Sequence, residues 1–173
     1  DGNLKSVRIF GHTYKGKGLY EVLESYVRKG FYAMDSKEKE RGKDIMWYIW
    51  LSENSPLFGK DKMATFERYF LAEKETHKEK KNPYYLLLED EKVICHILKE
   101  FGLENKDAHI INGHVPVKCK DGEKPIKCGG KVLVIDGGFS RAYQKETGIA
   151  GYTLIYNSYG LILAAHEPFE STE

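Results

Sequence analysis

The chain has 173 residues, 41% of them hydrophobic and 31% charged, a composition that excludes a disordered chain and suits one ordinary domain with a sizeable core. Its 27 Lys and Arg against 26 Asp and Glu leave a formal net charge of +1, which argues against a general nucleic-acid binder. No apolar run approaches the roughly 18 residues that a membrane span needs, so neither nucleic acid nor membrane is expected as a partner.

Residues 5–10 alternate and predict a short strand. Gly16 and Gly18 precede a helix in which Leu19, Leu23, Tyr26 and Val27 recur at helical spacing, and Gly30 weakens its end. Polar residues 35–44 predict a turn and an exposed helix start. The run Ile45-Met46-Trp47-Tyr48-Ile49-Trp50-Leu51 is apolar on every side. It predicts a buried helix or a buried strand, and periodicity does not separate the two. Pro56 stops it, and residues 55–62 read as a loop. Met63, Phe66 and Phe70 repeat at three and four and predict a helix. A strongly polar stretch, 73–82, carries His77, and Pro83 opens a short element with Leu86, Leu87 and Leu88.

The clearest helix is 90–101. Asp90 is its N-cap, Val93, Ile94, Ile97, Leu98 and Phe101 form one apolar stripe, and Gly102 is placed to end it. The character then changes. Residues 109–112 read as a strand, 131–135 as a buried strand, and 151–157 with 160–166 as a hairpin around Asn157-Ser158-Tyr159-Gly160. The chain therefore reads as α/β (α+β), with a mostly helical segment over 1–102 and a β-rich half over 103–173. Cys95, Cys119 and Cys128 are an odd, unclustered set that makes no disulfide framework, and a cytoplasmic location is expected. A zinc site drawing on Cys119, Cys128 and His114 fits no usual ligand spacing. No leader peptide is expected. The start at Asp1 rather than at a methionine sets the expectation of a piece of a longer protein.

Chemistry concentrates at two strand ends. Ile110-Ile111-Asn112-Gly113-His114-Val115-Pro116 carries an apolar run into Asn-Gly and then a histidine, and imidazole is a common metal ligand and a common acid or base. The alternative for His114 is a hydrogen-bonded surface histidine. Asp136, in Asp136-Gly137-Gly138-Phe139-Ser140-Arg141, ends the second apolar strand. An acid there must find partners, either in a turn whose backbone amides it accepts from or in an active site at the strand ends. Ser55, Lys60 and Lys62, with Arg68 one helical stretch on, combine a hydroxyl and cations that suit phosphate oxygens. The Gly-Lys-Ser/Thr ending of a Walker loop is absent, and a basic surface loop is the plainer reading. His77, inside a run of charges, reads as part of a solvated segment.

These stretches together resemble the class III, manganese-dependent bacterial fructose-1,6-bisphosphatases. The resemblance is carried by Ser-Pro-Leu-Phe-Gly-Lys at 55–60, Thr-Phe-Glu-Arg-Tyr-Phe at 65–70, Thr-His-Lys-Glu at 76–79, Asn-Pro-Tyr-Tyr at 82–85 and Ile-Asn-Gly-His-Val-Pro-Val-Lys at 111–118. Its strongest run is Asp-Gly-Gly-Phe-Ser at 136–140, Ala-Tyr-Gln at 142–144 and the stretch 147–160. It implies the C-terminal part of a calcineurin-like β-sandwich flanked by helices, with a largely helical N-terminal insertion. It also implies a divalent metal pair, manganese, with His114 as one ligand and most others on an upstream segment. Gly-Asp-x-x-Asp and Gly-Asn-His-Asp/Glu do not occur in the 173 residues, and Pro116 stands where a second histidine of the last metal motif often falls.

The implied reaction is hydrolysis of fructose 1,6-bisphosphate to fructose 6-phosphate and phosphate, a step of gluconeogenesis. Asp136 would serve the catalytic centre, and Ser55, Lys60, Lys62, Arg68 and Arg141 would bind the substrate's phosphates. Expected partners are the sugar bisphosphate, the N-terminal remainder of the same enzyme and further copies in a homo-oligomer. The piece alone is expected to be inactive. Alternatives are a regulatory or oligomerisation module, and a phosphatase acting on another sugar phosphate.

Overall fold

The computed structural model describes residues 2–62 and 64–167, apart from the side chains of Ala142 and Tyr143. Met63, read above as the first position of an apolar repeat, lies outside the described residues. The chain is a mixed α/β protein that divides into two compact units, residues 1–87 and 88–173.

The first unit opens with a hairpin, β1 (Ser6–Ile9) and β2 (His12–Lys15), paired antiparallel with Ile9 opposite His12. Phe10 and Gly11 form its two-residue turn at φ 44° and 88°, the positive pair that matches the twist of a tight hairpin. Alternation puts Val7 and Ile9 on one face, where they meet Leu19 and Leu23 of α1 (Gly16–Tyr32) and Ile45 of α2 (Ser36–Leu51). Asp35 caps α2, its carboxylate accepting from the Glu38 amide at 2.9 Å, which satisfies one of the donors that a helix start leaves unpaired.

Gly30 and Gly42 set the spacing of these two helices. A Cβ on Gly42 would lie 2.2 Å from the Gly30 nitrogen and 2.5 Å from the Tyr26 carbonyl oxygen. Gly30 therefore lies inside α1, where backbone approach outweighs its low helix propensity. The apolar run 45–51 is helix, the C-terminal half of α2. The expectation that it is buried is corrected: Ile45 is buried, whereas Trp47 and Trp50 are 67% and 76% exposed. The reason is that α1 covers only one side of α2. Helix α3 (Thr65–Phe70) follows, its Phe66 and Phe70 stacked on each other in the open.

In the second unit, α4 (Glu91–Glu100) is capped by Asp90, whose carboxylate accepts from the Lys92 and Val93 amides. It closes through Gly102 at φ 75°, with Leu103 N–H on the Leu98 carbonyl and Gly102 N–H on that of Lys99, a left-handed glycine stop. The sequence changes character at 102, yet α4 groups with the strands that follow. One tie is the Glu89 carboxylate, which accepts from the Cys128 amide at 2.6 Å.

Strand β3 (Ile110–Asn112) lies parallel to β5 (Val132–Val134), and β4 (Ile126–Lys127) lines the other edge of β5 antiparallel. All of β5 is buried, as its unbroken apolar run requires of a central strand. Helix α5 (Arg141–Thr147) precedes a hairpin of β6 (Tyr152–Asn157) and β7 (Gly160–Ala165), paired through to Asn157 opposite Gly160. No helix among the described residues is long and apolar enough to cross a membrane.

Gly42→Ala should cost about 2 kcal/mol or more, because a backbone clash exceeds the roughly 1 kcal/mol that alanine gains in helix propensity. Thermal unfolding followed by circular dichroism reads this out. A variant as stable as the parent would show that α1 and α2 are not held at that spacing.

Candidate functional site

The parallel pairing of β3 with β5 brings His114 and Asp136 to one edge. Asn112 sits opposite Val134, so the register carries each chain two residues further to His114 and Asp136 at the C-terminal ends of adjacent strands. The Ile135 amide donates to the Asn112 carbonyl at 2.8 Å, and the Val117 amide returns to the Asp136 carbonyl at 2.7 Å. The loop that carries His114 is thus closed onto the backbone of Asp136.

His114 is exposed and stands at φ 70°, with the Val115 amide on the Gly113 carbonyl at 2.9 Å. That is a γ-turn of the strained, positive-φ kind centred on a non-glycine residue. Gly113 beside it does not appear among the positive-φ glycines. The sequence predicts a glycine-eased turn, yet the strain falls on the histidine itself. Strain of order 1–3 kcal/mol survives only where the surroundings impose it.

Asp136 makes the turn the sequence allowed for: its carboxylate accepts from the Gly138 amide at 2.8 Å. The glycines beside it are obligatory. A Cβ on Gly137 would stand 2.7 Å from the backbone of Gly151, and one on Gly151, at φ 145°, would stand 2.6 Å from the Phe139 ring. Asp136 also bridges to Gly151, and the Tyr152 amide donates to the Ile135 carbonyl at 3.1 Å, so β6 continues the edge. Arg141, at the start of α5, is exposed and has no carboxylate partner among the described residues.

The other basic residues belong to the first unit. Lys60 lies 2.5 Å from Glu79, and Arg68 lies 3.9 Å from the second oxygen of that carboxylate, which also accepts from the Ala64 amide at 3.0 Å. Lys62 donates to the Thr76 carbonyl at 2.7 Å. Ser55 is buried, its hydroxyl accepting from the Leu57 amide at 3.2 Å. Lys60, Lys62 and Arg68 are thus brought together around one segment, and each already has an internal acceptor. The hydrogen bond from Lys60, then that from Ala64, holds the Glu79 carboxyl below its usual pKa.

Sequence reading missed four features. Glu79 looked like one more member of a charge run, because partners eleven to nineteen residues away leave no local pattern. His77 is not merely solvated: its Nε2 lies 3.0 and 2.9 Å from the Glu67 and Leu71 carbonyl oxygens and ties the 3-10 turn at 74–77 to α3. Cys119 shares a hydrogen bond of 2.9 Å with the Tyr152 hydroxyl, and burial, reinforced by that bond, pushes the phenol pKa up. An Asp-x-His triplet, Asp107-Ala108-His109, precedes β3, where His109 Nδ1 bonds the Gly130 carbonyl at 2.8 Å.

The metal pair implied by the resemblance can be tested against these donors. Among the described residues no three His, Cys, Asp or Glu side chains form a group that could hold a metal ion. The donors among the described residues therefore do not by themselves fit that pair. The three cysteines are free, and Cys119, Cys128 and His114 are not gathered into a zinc site.

The sequence of the chain, taken over its whole length, has clear relatives. The chain is 62% identical over 174 residues to "Fructose-1,6-bisphosphatase class 3" of Clostridioides difficile, covering 100% of this chain and 26% of that protein. It is 57% identical to "Fructose-1,6-bisphosphatase class 3 1" of Clostridium beijerinckii and 59% identical to the class 3 protein of Clostridium acetobutylicum, with 100% of this chain and 26% of each relative covered. The chain thus spans about a quarter of the length of the curated relatives it matches. The family model for Firmicute fructose-1,6-bisphosphatase matches residues 1–173, and the chain belongs to that family. No solved structure matches it.

Two outcomes follow. His114→Gly should raise stability by about 1 kcal/mol, the relieved strain exceeding the added freedom of the unfolded chain; a loss of stability in denaturant titration would show that the turn is unstrained. Glu79→Gln should destabilise the chain at neutral pH. Because folding lowers the Glu79 pKa, its contribution is present above the unfolded value of about 4.3 and lost as pH falls through the folded one. The gap between parent and variant should therefore close below about pH 4; a gap unchanged from pH 7 to pH 3 would contradict the assignment.

Proposed function

We propose that this chain is the C-terminal portion of a fructose-1,6-bisphosphatase, which releases phosphate and fructose 6-phosphate from fructose 1,6-bisphosphate in gluconeogenesis in the cytoplasm. The observation that carries the reading is the family match over residues 1–173, together with relatives of that name of which the chain covers 26%. On this reading residues 103–173 are part of a calcineurin-like β-sandwich, and 1–102 a mostly helical insertion.

The residues are assigned roles as follows. His114 is one ligand of a divalent metal pair, manganese in kind, and the remaining ligands lie on the rest of the polypeptide. Its strained backbone, closed onto Asp136 by the Val117 amide, supports a position fixed for chemistry rather than for stability. Asp136 holds the turn that keeps the edge in place beside it. Arg141, exposed and unpaired with any carboxylate among the described residues, is the cation best suited to a substrate phosphate. Ser55, Lys60, Lys62 and Arg68 are further candidates for binding substrate phosphate. Lys60 and Arg68 must then leave Glu79, and Lys62 the Thr76 carbonyl. Further copies of the enzyme in a homo-oligomer belong to the same reading.

The test is His114→Ala in the full-length protein, assayed for phosphate release from fructose 1,6-bisphosphate with manganese added. Turnover should fall at least about 100-fold, as expected when an imidazole ligand is removed from a metal site. Unchanged turnover would remove His114 from the centre and favour a regulatory or assembly role for this part.

A further inference from the structure

Helix α2 poses a question that its own unit does not answer. Its C-terminal half, 45–51, is apolar all round, a pattern that calls for cover on every side. The cover it receives comes from α1 and the first hairpin, which take Ile45 with Tyr48 and Ile49. The other side presents Lys43, Met46, Trp47 and Trp50, which line an open recess of about 300 Å³. Trp47 and Trp50 are the two tryptophans of the whole chain. Two indoles one helical turn apart and both mostly exposed are unusual, since tryptophan is highly buried on average and contiguous apolar surface marks an interaction site.

We infer that this face of α2 seats an apolar segment of the additional polypeptide that the family's curated relatives carry, an intramolecular contact rather than one between copies. One observation and one physical argument select that occupant. The chain accounts for 26% of each relative's length, so nearly three times as much chain is present to supply the cover. An occupant on the same polypeptide is held near the recess at an effective concentration on the order of millimolar. A second copy must instead pay the translational and rotational cost of association. The recess fixes the chemistry of the segment. It should enter with aliphatic or aromatic side chains between the indoles and place a carboxylate or carbonyl near Lys43 at the rim. The inference rests on the reading of the chain as part of a longer enzyme.

Hydroxyl-radical footprinting of the full-length protein tests it, with oxidation at Trp47 and Trp50 read by mass spectrometry. Native protein should be oxidised at both at least about tenfold more slowly than the same protein unfolded in guanidinium. That protection should persist as the protein is diluted to nanomolar concentration. Oxidation as fast in native as in unfolded protein would overturn the inference. Protection that vanishes on dilution would overturn it as well, by making a second copy the cover. Phosphate release from fructose 1,6-bisphosphate, measured on the same samples, separates the two readings. Protection without phosphatase activity would defeat the proposed function and leave the docking face standing.

Discussion

The parallel pairing of β3 with β5 is the constraint on which the candidate site of this chain depends. It is the parallel pair among the described strands, and parallel strands present their C-terminal ends together. A one-residue slip would put Ile111 in place of Asn112 opposite Val134, and would move His114 away from Asp136. Backbone hydrogen bonds hold the register, from the Ile110 amide to the Lys131 carbonyl at 2.8 Å, from the Ile135 amide to the Asn112 carbonyl at 2.8 Å and from the Val117 amide to the Asp136 carbonyl at 2.7 Å. The tight turn at Asp136-Gly137-Gly138, with Gly151 pressed against it, then fixes the edge from the far side.

Much of this was legible in the chain. The capped helix at 90–101, the buried strand at 131–135 and the hairpin at 151–166 all rest on local signals: an Asp before an apolar stripe, an unbroken apolar run, a two-residue turn. The association of His114 with Asp136 was legible only as two separate strand ends, since register is a property of pairs. The γ-turn at His114 was not legible at all, because the hydrogen bonds that close its loop, from the Val117 and Ile135 amides, join residues far apart in the sequence. The Glu79 cluster was hidden for the same reason, its donors being spread over Lys60, Ala64 and Arg68.

The run at 45–51 shows how a correct pattern leads to a wrong expectation of burial. Its all-round apolarity reports what the side chains need, while their exposure reports what these residues alone provide. The two disagree at Trp47 and Trp50 and agree at Ile45, and on the inference drawn above the disagreement marks where a further segment would seat. The metal donors behave alike. One imidazole at a strained turn has the marks of a ligand, yet no second and third donor join it among the described residues. On the reading proposed above, both the imidazole and the exposed indoles face further polypeptide, and the relatives of which the chain covers 26% are long enough to carry it.

The central claim is that this chain carries one side of a catalytic centre whose remaining donors lie on the rest of the enzyme. It is tested most directly by assaying the purified 173-residue chain alone for phosphate release from fructose 1,6-bisphosphate in the presence of manganese. The account predicts a rate no higher than that of buffer with metal. Sustained turnover by the isolated chain, abolished by chelation, would contradict it.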